Sequence, residues 1–111
     1  MTKFIFTDQY NNSLERIEDH ILATADISHV EKFLDEHDRL LKFIEQNPNT
    51  AAVHPLTGDQ AWVFASGRYR AFYRAVDINT VLTIFMTDII DNRELNKKIY
   101  PANSIPTYDE D

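Results

Sequence analysis

The stretch Ser66–Glu94, SGRYRAFYRAVDINTVLTIFMTDIIDNRE, constrains the fold of this chain more than any other. It reads as two long β-strands joined by a tight turn. In the first strand Arg68, Arg70, Phe72 and Arg74 fall on one parity, and Tyr69, Ala71, Tyr73 and Ala75 on the other. Successive side chains of a strand point to opposite faces, so three arginines are expected on one face at steps of about 6.8 Å. Such a face is not buried unless its charges are paired or bound. The pattern predicts a sheet with one dry side and one arginine-lined side, and the second side is the candidate for function.

Upstream, Lys3–Thr7 is a short apolar strand, and Asp8 is in place to cap a helix. Tyr10, Leu14, Ile17 and Ile21 then recur at steps of 4, 3 and 4, an amphipathic helix ending near Ala25. Ser28 and Glu31 form a capping box for a second helix. Its apolar stripe runs through Val30, Phe33, Leu34, Leu40, Leu41 and Ile44, and Asn47-Pro48 stops it. The short link between the helices predicts an antiparallel hairpin. The aperiodic segment Pro48–Gln60 reads as a long loop, followed by a strand at Ala61–Ala65 and turns at Ser66-Gly67 and Asp77–Asn79. Thr80–Ile90 carries apolar residues on both parities, as a central strand does. The order β-α-α-β-β-β predicts an α+β domain, with the helical hairpin packed on one face of a small, mostly antiparallel four-stranded sheet. Residues 1–100 read as this single domain and 101–111 as an acidic, flexible tail.

Charge is uneven along the chain. The formal net charge is −7, yet residues 61–100 hold 6 Lys+Arg against 4 Asp+Glu, while residues 1–60 hold 5 against 11. An acidic whole disfavours loose attraction to nucleic acid, which needs several basic contacts on one surface. Any polyanion meets the chain at the arginine strand. No apolar run approaches the ~20 residues needed to span a bilayer, and no signal peptide opens the sequence. The chain has no cysteine, hence no disulfide or thiolate metal site. A cytoplasmic location is expected, with no membrane association, no metal and no cofactor.

The element order, Gly67-Arg68-Tyr69-Arg70 leading into Phe72-Tyr73-Arg74, the aliphatic last strand and the Asn92-Arg93-Glu94 exit together resemble the RelE/ParE toxin superfamily, the toxin halves of bacterial type II toxin–antitoxin pairs. The resemblance covers roughly residues 3–100. It implies a cognate antitoxin partner that covers part of the binding set Arg68, Arg70, Arg74 and Arg93. RelE-like members are ribosome-dependent mRNA endonucleases, and Arg70, Arg93 and Tyr100 fall at places matching their catalytic set. The lysines such enzymes carry on the second strand are replaced by Ala61 and Val63. ParE-like members lack that set and poison DNA gyrase, and the missing lysines favour this group.

Chemistry points the same way. Cleaving RNA through its 2′-hydroxyl needs a base, an acid and cations for the developing phosphate charge. Arg70 and Arg93 are cations that do not shuttle protons, and Tyr100 is the only matched acid. The base is missing, with His54 in the long loop as a stand-in candidate. The main reading is therefore a ParE-like toxin that binds and inhibits a macromolecular target. The alternatives are an mRNA endonuclease with a reduced set, and an inactive member that only binds antitoxin.

Several signals also have bland readings. Without the resemblance the arginine row reads as a solvated face paired with Asp77, Asp88, Asp91 or Glu94, and with it as a binding face. His37 reads as a packing residue, His20 and His29 as solvated, and Trp62 as core or as a stacking platform. The tail is either a solvated terminus or a competitor for the arginine face.

Overall fold

The computed structural model describes residues 2–53 and 57–92. The elements are β1 (Thr2–Phe6), α1 (Asp8–Thr24), α2 (Ile27–Gln46), β2 (Gln60–Phe64), β3 (Tyr69–Ile78) and β4 (Val81–Asp91). The sheet runs β1-β4-β3-β2, with β1 parallel to β4 and the other two ladders antiparallel. It is mixed, and the long apolar β4 is central as its pattern predicts.

Both helices begin one or two residues from the expected caps. Thr7, not Asp8, caps α1: its Oγ1 accepts from the Tyr10 N–H at 3.1 Å. The same hydroxyl lies 3.2 Å from the Met86 carbonyl and 3.1 Å from that of Thr87, which ties the start of α1 to β4. Asp26, not Ser28, caps α2 by accepting from the His29 N–H at 3.2 Å. Only Ala25 and Asp26 separate the helices, so Ser28 already lies in the first turn. Its hydroxyl donates to the Asp26 carboxylate at 2.6 Å. That bond, followed by those from His29, holds the Asp26 carboxyl well below the usual carboxylate range.

The apolar stripes meet one face of the sheet. Tyr10 of α1 and Phe33, Leu40 and Ile44 of α2 pack on Tyr69, Ala71 and Tyr73 of β3 and Ile84, Met86 and Ile89 of β4. Each large side chain taken out of water here contributes about 1.5–3 kcal/mol before entropy is counted. His37 lies within this seam, buried, with its Nε2 2.5 Å from the Tyr10 hydroxyl. Leu34 and Leu41 flank the stripe, half-buried. Trp62 packs edge-on against Phe43 of α2 at 5.0 Å, so its ring serves the helix–sheet contact.

Two turns shape the arginine strand. Ser66 and Gly67 both hold positive φ, 58° and 84°, and the Arg68 N–H closes the turn on the Ala65 carbonyl at 3.1 Å. Ala65 is left-handed as well, with φ 56°, and such a conformation costs a non-glycine residue roughly 1–2 kcal/mol. The β3–β4 turn sits on Asn79-Thr80, with φ 51° and 65°. Asp77 and Ile78, expected in that turn, instead extend β3 opposite Leu82 and Val81. Positive φ at both central residues matches the twist of a two-residue hairpin, and Asn tolerates it better than most side chains.

Candidate functional site

Arg70 and Arg74 lie on the sheet face opposite the helices. Their cross-strand neighbours establish this, since Arg70 pairs with Val63 of β2 and Arg74 with Phe85 of β4, while Ala71 and Tyr73 on the other parity enter the core. Exposed Val63, Val76 and Ile78 share the parity of these arginines, so the face is mixed cationic and apolar. Phe72, between the two arginines, is almost fully buried.

Each arginine of the row has a fixed partner. The Arg70 Nε donates to Asn92 Oδ1 at 3.0 Å, just past the end of β4. Asn92 in turn donates from Nδ2 to the Gly67 carbonyl at 2.7 Å, which braces the β2–β3 turn. Arg74 directs Nε and Nη2 at Asp59 Oδ1, at 2.9 and 2.6 Å. The other Asp59 oxygen accepts from Thr87 Oγ1 at 2.7 Å. Asp59 is buried, so these bonds replace the water its carboxylate gives up.

A register irregularity lies beside these groups. Between Phe72 and Tyr73 the ladder skips one residue of β4, pairing Phe72 with Asp88 but Tyr73 with Met86. Thr87 is the extra residue and reaches Asp59, while Asp88 accepts from Ser13 Oγ of α1 at 2.9 Å. Consecutive β4 residues thus serve the loop before β2 and the helix layer, as strand alternation dictates, and the bulge returns Ile89 to the core face that Met86 occupies.

Arg68 departs from the expected row. The turn occupies Ala65–Arg68 and β3 begins only at Tyr69, so strand parity does not extend to it. Its guanidinium carbon lies 5.3 Å from the centroid of the Tyr69 ring, and its Nε donates to Asp91 Oδ2 at 3.0 Å. It borders a cleft whose other walls come from α1 and α2, on the helix side of the sheet. The structure therefore brings together Arg70 and Arg74 and separates Arg68 from them. Arg93, Tyr100, His54 and the tail at 101–111 lie outside the described residues.

Ala61 and Val63 of β2 pair with Phe72 and Arg70. Neither side chain takes or returns a proton, and a guanidinium serves as a cation rather than as a proton shuttle. Asp59 is not legible as a site residue in the sequence, because it sits in an aperiodic loop and its partners are distant along the chain.

No protein-family model matches the sequence, and comparison with curated proteins gives no match. Among solved structures, the chain is similar to one described as the chromosomal ParDE toxin–antitoxin system from P. aeruginosa. The TM-score is 0.67 at 17% identity, over 82% of this chain and 96% of that one. The chain thus shares the fold of that ParDE-system chain. Among the described residues no helix is long and apolar enough to cross a membrane.

Proposed function

We propose that this chain is the toxin of a type II toxin–antitoxin pair, ParE-like, acting in the cytoplasm by binding and inhibiting a macromolecular target such as DNA gyrase. The observation that carries this reading is the near-complete overlap with a chain of a ParDE system, joined to a sheet face on which Arg70 faces Val63 instead of a lysine. A cognate antitoxin covers part of the Arg70/Arg74 face, where apolar Val63, Val76 and Ile78 lie beside the guanidinium groups. A peptide that folds on binding suits such a surface, with side chains for the apolar positions and carboxylates for the arginines.

Purified chain added to a gyrase supercoiling reaction, and separately to ribosomes translating a defined mRNA, tests the target class. Inhibited supercoiling with intact transcripts is the expected result. Cut transcripts with unaffected gyrase would replace this reading by an mRNA endonuclease.

A further inference from the structure

A cleft of about 320 Å³ opens between the joint of the two helices and the β2–β3 turn. One part of its wall is apolar, from Ile21, Ala25 and Phe33. The other part is cationic or protonatable, from Arg68, Lys32, His20 and His29, and Glu36 is the one carboxylate among the lining residues. This concentration is unexpected in a chain of net charge −7.

Arg68 is held in advance of any ligand. Asp91 Oδ2 accepts from its Nε, and the guanidinium lies over the Tyr69 ring. One of five N–H donors is used by that bond, and no other described residue accepts from the two terminal nitrogens. Asp91 offsets part of the Arg68 charge, and Asp26 Oδ1 lies 2.8 Å from His29 Nδ1. What remains is a pre-oriented fork that matches the two oxygens of a carboxylate or phosphate, with the Lys32 ammonium on the same cleft.

We propose that this cleft binds a small amphiphilic oxyanion, a carboxylate or phosphate monoester head on a short apolar body. The head sits on Arg68 and Lys32, and the body lies against Ile21 and Phe33. The volume is at the lower end of the range for small-molecule sites, about 300–1,000 Å³, so the ligand is compact. This inference stands independently of the toxin reading, since it uses the helix side of the sheet.

Backbone amide NMR titration of the full chain tests it, with hexanoate, hexyl phosphate, 1-hexanol and inorganic phosphate as probes. One of the two anions is expected to give saturable shifts centred on Lys32, Ser66 and Arg68, and the tighter of the two identifies the head group. Hexanol and inorganic phosphate are each expected to bind at least about tenfold more weakly, since each lacks one half of the recognition. Lys32→Gln is expected to weaken the anion about fivefold, and Glu36→Gln to tighten it, with melting temperatures unchanged. A mere packing role for these two side chains, Lys32 exposed and Glu36 half-buried, would not give opposite signs. The absence of saturable shifts with either anion overturns the proposal. So does hexanol binding as tightly as the anions, or both substitutions moving affinity in one direction.

Discussion

The Tyr10 hydroxyl and the His37 Nε2 meet at 2.5 Å inside the seam between α1 and α2, and both rings are buried. Burial pushes the Tyr10 phenol far above its ordinary range, and it lowers His37 against a smaller opposing pull from Asp38. Both groups are therefore held neutral at pH 7. In acid, His37 gains its proton later in the folded chain than in the unfolded one. The unfolded state then binds more protons, so stability falls with decreasing pH. The His37 contribution is complete above the ordinary histidine value of about 6.5 and is lost as pH drops from there through the lowered folded value. Urea unfolding at pH 7.5 and at pH 5.0 measures it. Wild type is expected to lose stability between the two, and His37→Leu to show a much flatter profile from a lower starting point. An equal slope in the variant would assign the loss elsewhere.

Tyr73 and Arg70 are three residues apart on β3 and differ in every respect that governs stability. Tyr73 is fully buried, with its hydroxyl donating to the Pro48 carbonyl at 3.2 Å. Tyr73→Ala is expected to cost about 3 kcal/mol or more, through the cavity and the unpaired carbonyl. Arg70→Ala, on the face away from the core, is expected to cost under about 1 kcal/mol. Thermal melts of the two variants compare them directly, and equal melts would invert the face assignment.

Asp59 joins the loop before β2 to both β3 and β4. Asp59→Ala removes the acceptor for Arg74 and for Thr87 together and is expected to cost about 1–3 kcal/mol. Arg74 has 59% of its side chain exposed, so water screens the ion pair. A double-mutant cycle over Asp59 and Arg74 is expected to give about 1 kcal/mol of coupling, falling in high salt. A coupling several times larger would mean that the guanidinium is shielded from solvent in solution.

How much of this was legible follows from which forces are local. The two helices, the central β4 and the core role of His37 were visible because burial leaves a period in the sequence, 3.6 for Phe33-His37-Leu40-Ile44 and dense apolarity for Val81–Asp91. Arg70 and Arg74 were placed on the correct face because strand parity holds between them. Arg68 was not, since it lies in a turn whose left-handed residues end the alternation before Tyr69. Asp59 carried no signal because it sits in an aperiodic loop and its partners, Arg74 and Thr87, are distant in sequence and meet it only in the fold. The α2 cap was missed for a simpler reason: two acceptors, Asp26 and Ser28, compete, and the two-residue link selects the first.

The central claim, that this chain is a toxin working through its arginine face, is tested most directly by colony counts after induced expression in bacteria. Wild type expressed alone is expected to reduce viable counts. Arg70→Ala, at equal expression and with a folded melt, is expected to restore them, as is co-expression of the protein encoded beside this gene. Undiminished counts with abundant, folded wild-type protein would contradict the account.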